Sequence, residues 1–250
     1  MASALRQISL LRDSVADWEQ YPFTVDVIRH FEKVDVRSPV LCFAGENGTG
    51  KSTLLEAIAD YAGFALAGGS VSNAAAVASE SPVRSLADAL RLTWKPKLRP
   101  GYFLRAETFS DIATYVDNVA REDPRMLARY GGTSLHKKSH GEAFLSVFVE
   151  WMSSGSLYIF DEPEAALSYP RQLALVGRMH DMIAENPNTQ FIIATHSPII
   201  LGYPGAQILS FEGPRLRAVT FRETDAFRIG ARFFADPDRF IQRFLEESSG

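Results

Sequence analysis

The chain has 250 residues, 46% of them hydrophobic and 22% charged, which is enough to bury one large core and too apolar for a disordered chain. A formal net charge of -4 gives no general attraction to nucleic acid, and the single cysteine, Cys42, excludes an internal disulfide and fits a reducing compartment. Residues 1–12 lack the basic region and sustained apolar stretch of a signal peptide, and no segment reaches the roughly 18 uninterrupted apolar residues of a membrane span, so a cytoplasmic protein with no direct membrane insertion is expected.

In chain order, residues 1–44 predict antiparallel strands, a turn at 35–39, and a first buried core strand, Val40-Leu41-Cys42-Phe43-Ala44. Directly after it, Gly45-Glu46-Asn47-Gly48-Thr49-Gly50-Lys51-Ser52 spells G-x-x-x-x-G-K-[ST], and the apolar spacing of 52–59 opens a helix. A strand, a glycine-rich loop and a helix N-terminus together make a phosphate cradle, because the glycines aim successive N–H groups into a concavity that the helix dipole makes positive. Asn47, Gly48, Thr49, Gly50, Lys51, Ser52 and Thr53 are therefore candidate nucleotide-binding residues. Lys51 would reach the β- and γ-phosphates, and the Ser52 hydroxyl would be placed for Mg2+.

Residues 68–77 are small and read as a flexible loop, and residues 108–138 predict a helical arm containing a helix around 111–121 and a Gly131-Gly132 hinge. Two basic clusters flank this arm: Arg91, Lys95, Lys97, Arg99 and Arg105 form one, and Arg121, Arg125, Arg129, Lys137 and Lys138 form the other. Such runs are ordinarily solvated faces, and a nucleic-acid contact is the alternative. Ser139-His140-Gly141-Glu142 has the form of a capping box at the start of a helix over 143–152. Then Leu157-Tyr158-Ile159-Phe160 is a short apolar strand running into Asp161-Glu162-Pro163-Glu164. Two acids at a strand end suit Mg2+ and water: Asp161 would hold the metal through water, and Glu162 would polarise the attacking water as general base. Residues 170–185 predict a helix with Pro170 in its first turn, leading to a buried strand, Gln190-Phe191-Ile192-Ile193-Ala194, that ends in Thr195-His196-Ser197-Pro198. After Phe211 come a turn at Gly213-Pro214, an edge strand and two short helices, the last carrying an amphipathic run at 240–245.

Taken in order, these motifs resemble the ATP-binding cassette superfamily over roughly residues 20–212, and within it small stand-alone ATPases of the AAA-family type. The resemblance implies an α/β P-loop NTPase fold of the ABC ATPase type, with a mainly parallel core sheet flanked by helices, an antiparallel β subdomain and a small helical arm. It implies one domain over 1–250, with the arm and signature helix at 108–152 and a C-terminal extension at 213–250. By the same resemblance Ser139 matches the signature serine, His140 and Gly141 match the two glycines, and Ala165-Ala166-Leu167-Ser168 matches the loop that meets a facing subunit. His196 matches the switch histidine. The resemblance further implies ATP and Mg2+ bound in a homodimer, each ATP held by one subunit and capped by Ser139 and Gly141 of the other.

Two departures stand out. The glutamine that usually ends the strand before the arm is absent from Gly101-Tyr102-Phe103-Leu104-Arg105-Ala106-Glu107, where Glu107 either substitutes for it or pairs with Arg105. The adenine-stacking aromatic would be Tyr21 or Phe23, each of which also reads as an ordinary core aromatic. No heptad run lies between Lys51 and Ser139, which excludes a long-armed DNA clamp. The expected function is a soluble ATP hydrolase coupled to a partner process. The alternatives are an ATP-gated clamp for nucleic acid or protein in repair or defence, and a transporter's nucleotide-binding subunit.

Overall fold

The computed structural model describes residues 3–64, 82–105 and 152–247. The expected loop at 68–77, Glu107, the arm at 108–138, and Ser139 and Gly141 with nearly all of their helix lie outside these residues.

The described strands, in chain order, are β1 (Leu5–Leu10), β2 (Lys33–Asp35), β3 (Val40–Ala44), β4 (Leu90–Trp94), β5 (Arg99–Arg105), β6 (Ser156–Asp161), β7 (Gln190–Ala194), β8 (Gln207–Ser210) and β9 (Arg217–Val219). They form two sheets. In the smaller, β1 lies between β2 and β4, antiparallel to both, with Ile8 opposite Val34 on one side and Leu92 on the other. The larger has the order β5-β6-β7-β3-β8-β9, parallel throughout except for the edge strand β9. A mainly parallel sheet flanked by helices, with a small antiparallel unit beside it, is the predicted fold class.

Parallel strands covered on both faces read as unbroken apolar runs, which is why β3, β6 and β7 are buried at every position. The alternation within each strand divides the core between the two faces. Leu41, Phe43, Ile159 and Ile192 meet Leu54, Leu55 and Ile58 of the helix Lys51–Ala62 on one side. Val40, Cys42, Phe160 and Ile193 meet Leu175, Met179 and Met182 of the helix Tyr169–Glu185 on the other. Tyr158 and Phe191 stack at 5.3 Å on that second face.

Local chemistry sets the element ends. The helix Lys51–Ala62 is bounded by Gly50 and Gly63, both left-handed, with φ of 95° and 86°. The helix Tyr169–Glu185 carries Pro170 in its first turn, where no backbone donor is lost. Ser197 caps the short helix Pro198–Leu201 by accepting from the amides of Ile199 and Ile200. The predicted turn at 35–39 is one residue shorter, because Asp35, the last residue of β2, pairs with Gln7 of β1.

The register brings the motifs to one edge. Ala194 lies opposite Phe43 of β3 and opposite Asp161 of β6, so β7 separates the glycine-loop strand from the acid-bearing strand while aligning their carboxyl ends. Ligands of open α/β sheets bind at that edge. At the far end of the chain, the helices Asp225–Ala235 and Pro237–Glu247 bury none of their residues, although each has an apolar stripe. No helix among the described residues is long and apolar enough to cross a membrane.

Candidate functional site

The loop from Gly45 to Gly50 turns on backbone that side chains disfavour. Gly48 has φ of 81° and Gly50 of 95°; at Gly50 a Cβ would come within 2.8 Å of Val25 and 3.0 Å of Val27. Thr49 Oγ1 and Lys51 Nζ both donate to the Glu46 carbonyl, at 2.8 and 2.7 Å, tying the loop into a ring. Lys51 is buried, and its ammonium also lies 3.7 Å from Glu162 Oε1. A buried ammonium held over a concavity by one carbonyl and one carboxylate is a cation that an anionic ligand can recruit.

Across the sheet edge, Ser52 Oγ donates to Asp161 Oδ1 at 2.9 Å, joining the glycine loop to the end of β6. Burial pushes the Asp161 carboxyl up from its ordinary value to about 6; the Ser52 hydrogen bond and the Arg105 charge pull it back down, while Glu56 and Glu162 push it further up. Arg105 stands at the end of β5, 3.0 Å from Glu56 and 3.9 Å from Asp161 Oδ2. No group of three or more His, Cys, Asp or Glu that could hold a metal gathers among the described residues. Mg2+ does not need one: it keeps most of its waters and takes one or two protein oxygens plus ligand phosphates. The serine hydroxyl and a buried carboxylate at hydrogen-bond distance suit that demand.

The surrounding cleft measures about 470 Å³ and is lined by Asn47, Gly48, Gly50, Lys51, Ser52 and Thr53 on the loop side, with Arg105, Asp161, Glu162 and Ala165 facing them. Thr49 lies outside this lining, its hydroxyl spent on the loop itself. Tyr21 is 48% exposed and lines the same cleft, with its hydroxyl 3.3 Å from Thr53 Oγ1. The core reading therefore applies to Phe23, which is buried and packs edge-on against Trp18, and does not apply to Tyr21.

Glu162 is the sole non-glycine described residue with positive φ, at 47°, and its amide donates to the Ala194 carbonyl at 2.9 Å. Two positions on, Glu164 folds back under the end of β7. Its Oε1 accepts from the Thr195 hydroxyl at 2.6 Å and from the amides of His196 and Ser197 at 2.7 and 3.2 Å, and lies 3.2 Å from His196 Nδ1. Ser197 Oγ in turn donates to Gln172 Oε1 at 2.5 Å, and Gln172 Nε2 donates to the Leu167 carbonyl at 2.9 Å. The imidazole of His196 remains 56% exposed and is not part of the cleft lining.

The structure thus brings Lys51, Ser52, Asp161 and Glu162 into one cleft and sets His196 beside it, while Ser139 and Gly141 fall outside the described residues. Sequence reasoning gives Glu164 and Gln172 no role, and places Arg105 only in a basic cluster or beside Glu107. The signal was present for the first: an acid in an apolar setting, three residues after a strand's last acid, must find donors when buried, and Thr195-His196-Ser197 supplies them.

Two protein-family models match the chain. Residues 143–202 match the family described as "AAA domain, putative AbiEii toxin, Type IV TA system", and residues 22–84 match a family described as "AAA domain". No curated protein matches it. Among solved structures, it is similar to cbiO1 from Clostridium perfringens, part of the ABC transporter complex cbiONQ, at 17% identity and a TM-score of 0.44, over 85% of this chain and 90% of that one. It is also similar to the SMC head domain from Thermotoga maritima, at 15% identity and a TM-score of 0.45, over 87% and 98% of the two chains.

The sheet order and the two partial family matches define the fold class: a mainly parallel sheet flanked by helices, typical of P-loop NTPases. Within that class the glycine loop belongs to the segment matched at 22–84, and the acid pair and His196 belong to the segment matched at 143–202.

Proposed function

We propose that the chain is an ATP hydrolase that works as a nucleotide-sandwich homodimer and couples turnover to a partner process. The observation that carries the reading is the 2.9 Å hydrogen bond from Ser52 to Asp161, with Lys51 and Glu162 facing each other 3.7 Å apart in the same cleft. Asn47 to Thr53 wrap the phosphates, and Lys51 leaves the Glu46 carbonyl and Glu162 to meet the β- and γ-phosphates. Ser52 and Asp161 hold Mg2+, which when bound neutralises charge developing on the transferred phosphoryl group. Lys51 moving onto phosphate frees the Glu162 carboxylate, which then takes a proton from the attacking water. His196 helps to place that water. Ser139 and Gly141 of the facing subunit close over the γ-phosphate.

Glu162→Gln tests this. The variant is expected to bind ATP as the wild type does, lose hydrolysis by roughly 10²- to 10⁴-fold, and accumulate as a dimer with ATP and Mg2+. Unchanged hydrolysis would remove Glu162 as base, and light scattering that shows only monomer would remove the sandwich. Steady-state and single-turnover rates measured with and without DNA, RNA and a purified partner identify the coupled process by stimulation.

A further inference from the structure

We propose that Glu164 is a positioning residue for Glu162: its side chain clamps the turn after β6 to the end of β7, and so fixes the backbone from which the proposed base faces Lys51. The proposal deepens the ATPase reading and rests on it. Its warrant begins with the backbone of Glu162, which is left-handed at φ of 47° and ψ of 52°. Side chains disfavour that conformation, and it persists only where the surroundings hold it. On the residue itself, the Glu162 amide donates to the Ala194 carbonyl at 2.9 Å, and the Glu162 carbonyl accepts from the Ala165 amide at 3.0 Å. Glu164 adds the hold on the turn that follows. Its Oε1 accepts from the Thr195 hydroxyl at 2.6 Å and from the amides of His196 and Ser197 at 2.7 and 3.2 Å.

The clamp extends to the phosphate side of the cleft. Thr195, gripped through its hydroxyl, donates its own amide to the Phe43 carbonyl at 3.0 Å, and Phe43 lies in β3 two residues before Gly45. Hydrogen bonds therefore join the glycine-loop strand to Thr195 and Thr195 to Glu164, and the turn Pro163–Ala166 carries the connection on to Glu162. Lys51 and Glu162, at the two ends of this path, stand 3.7 Å apart. General-base work depends on such spacing, because a displacement of about 1 Å can cost roughly 10²-fold in rate. All of the grip passes through one oxygen: Glu164 Oε2 is buried and has no hydrogen-bond partner among the described residues. A glutamine keeps a carbonyl oxygen and can therefore reproduce the clamp.

Amide hydrogen exchange of the nucleotide-free full chain, read residue by residue by NMR, tests the clamp without turnover. Glu164→Ala is expected to speed exchange at Glu162 as well as at His196 and Ser197, while Ile192, deeper in β7, keeps its wild-type rate. Wild-type exchange at Glu162 in that variant overturns the proposal, because Glu164 would then hold only the loop after β7. In steady state, Glu164→Ala should lower kcat by roughly 10- to 100-fold with KM for ATP unchanged, and Glu164→Gln should restore most of kcat and the slow exchange at Glu162. In single turnovers, Glu164→Ala should cost nothing further in a Glu162→Gln background; an undiminished loss there overturns the proposal. Should Glu164→Ala fail to fold, Thr195→Val, which removes the hydroxyl donor to Glu164, is read the same way. Absence of any ATPase activity would sink the functional reading, while exchange at Glu162 would still decide the clamp.

Discussion

Asp161 sits where solvation would not choose to put a carboxylate. Its carboxyl is pushed up to about 6, above an ordinary value of 3.8, so the metal-free fold is most stable with Asp161 protonated and loses that stability as pH rises through about 6. Asp161→Asn should therefore stabilise the metal-free protein at pH 8 by up to about 3 kcal/mol, gain little at pH 4, and abolish stabilisation by ATP with Mg2+; thermal melts at the two pH values check all three. Gly50 offers a second test. Both Gly48 and Gly50 are left-handed, but a Cβ meets Val25 and Val27 at Gly50 and nothing within 4 Å at Gly48. Gly48→Ala should cost about 1–2 kcal/mol of backbone strain, and Gly50→Ala clearly more, as read from denaturant midpoints. Lys51, Ser52, Asp161 and Glu162 are legible in the sequence because each lies within a few residues of a glycine run or a strand end that advertises it. Arg105 is not, since its worth depends on partners 49 and 56 positions away, and Glu164 is legible only as an acid that must find donors, its actual partner lying 31 positions on.

Strands β3, β6 and β7 are legible as elements because burial on both faces leaves unmistakable apolar runs. Their order is a different matter. Nothing in the composition of β7 says that it lies between β3 and β6, and that placement is what aligns the Ala194 carbonyl with the Glu162 amide. The terminal helix Pro237–Glu247 is legible for the opposite reason, its amphipathic period, yet none of its residues is buried, and Phe244 and Leu245 stand exposed. Deleting residues 237–250 should consequently change stability by less than about 1 kcal/mol and leave nucleotide binding intact. A thermal melt and an ATP titration of the shortened chain measure both.

The molecule as a whole gathers its cleft from segments that begin at Tyr21 and end at Ala165, so a ligand there ties the small sheet's connections, the glycine loop and the acid-bearing strand together. ATP with Mg2+ at a hundred times its dissociation constant should raise stability by about 2.7 kcal/mol, and Lys51→Ala should erase the gain; differential scanning fluorimetry resolves this. Cys42 supplies an internal gauge of the same event. It is the chain's one thiol, it is fully buried in β3 between β7 and β8, and burial, with the Glu164 carboxylate adding to it, pushes it up to about 12. Folded protein should therefore ignore thiol-directed dyes, and slow colour development would time how often the central sheet parts, with nucleotide acting as a brake on that clock.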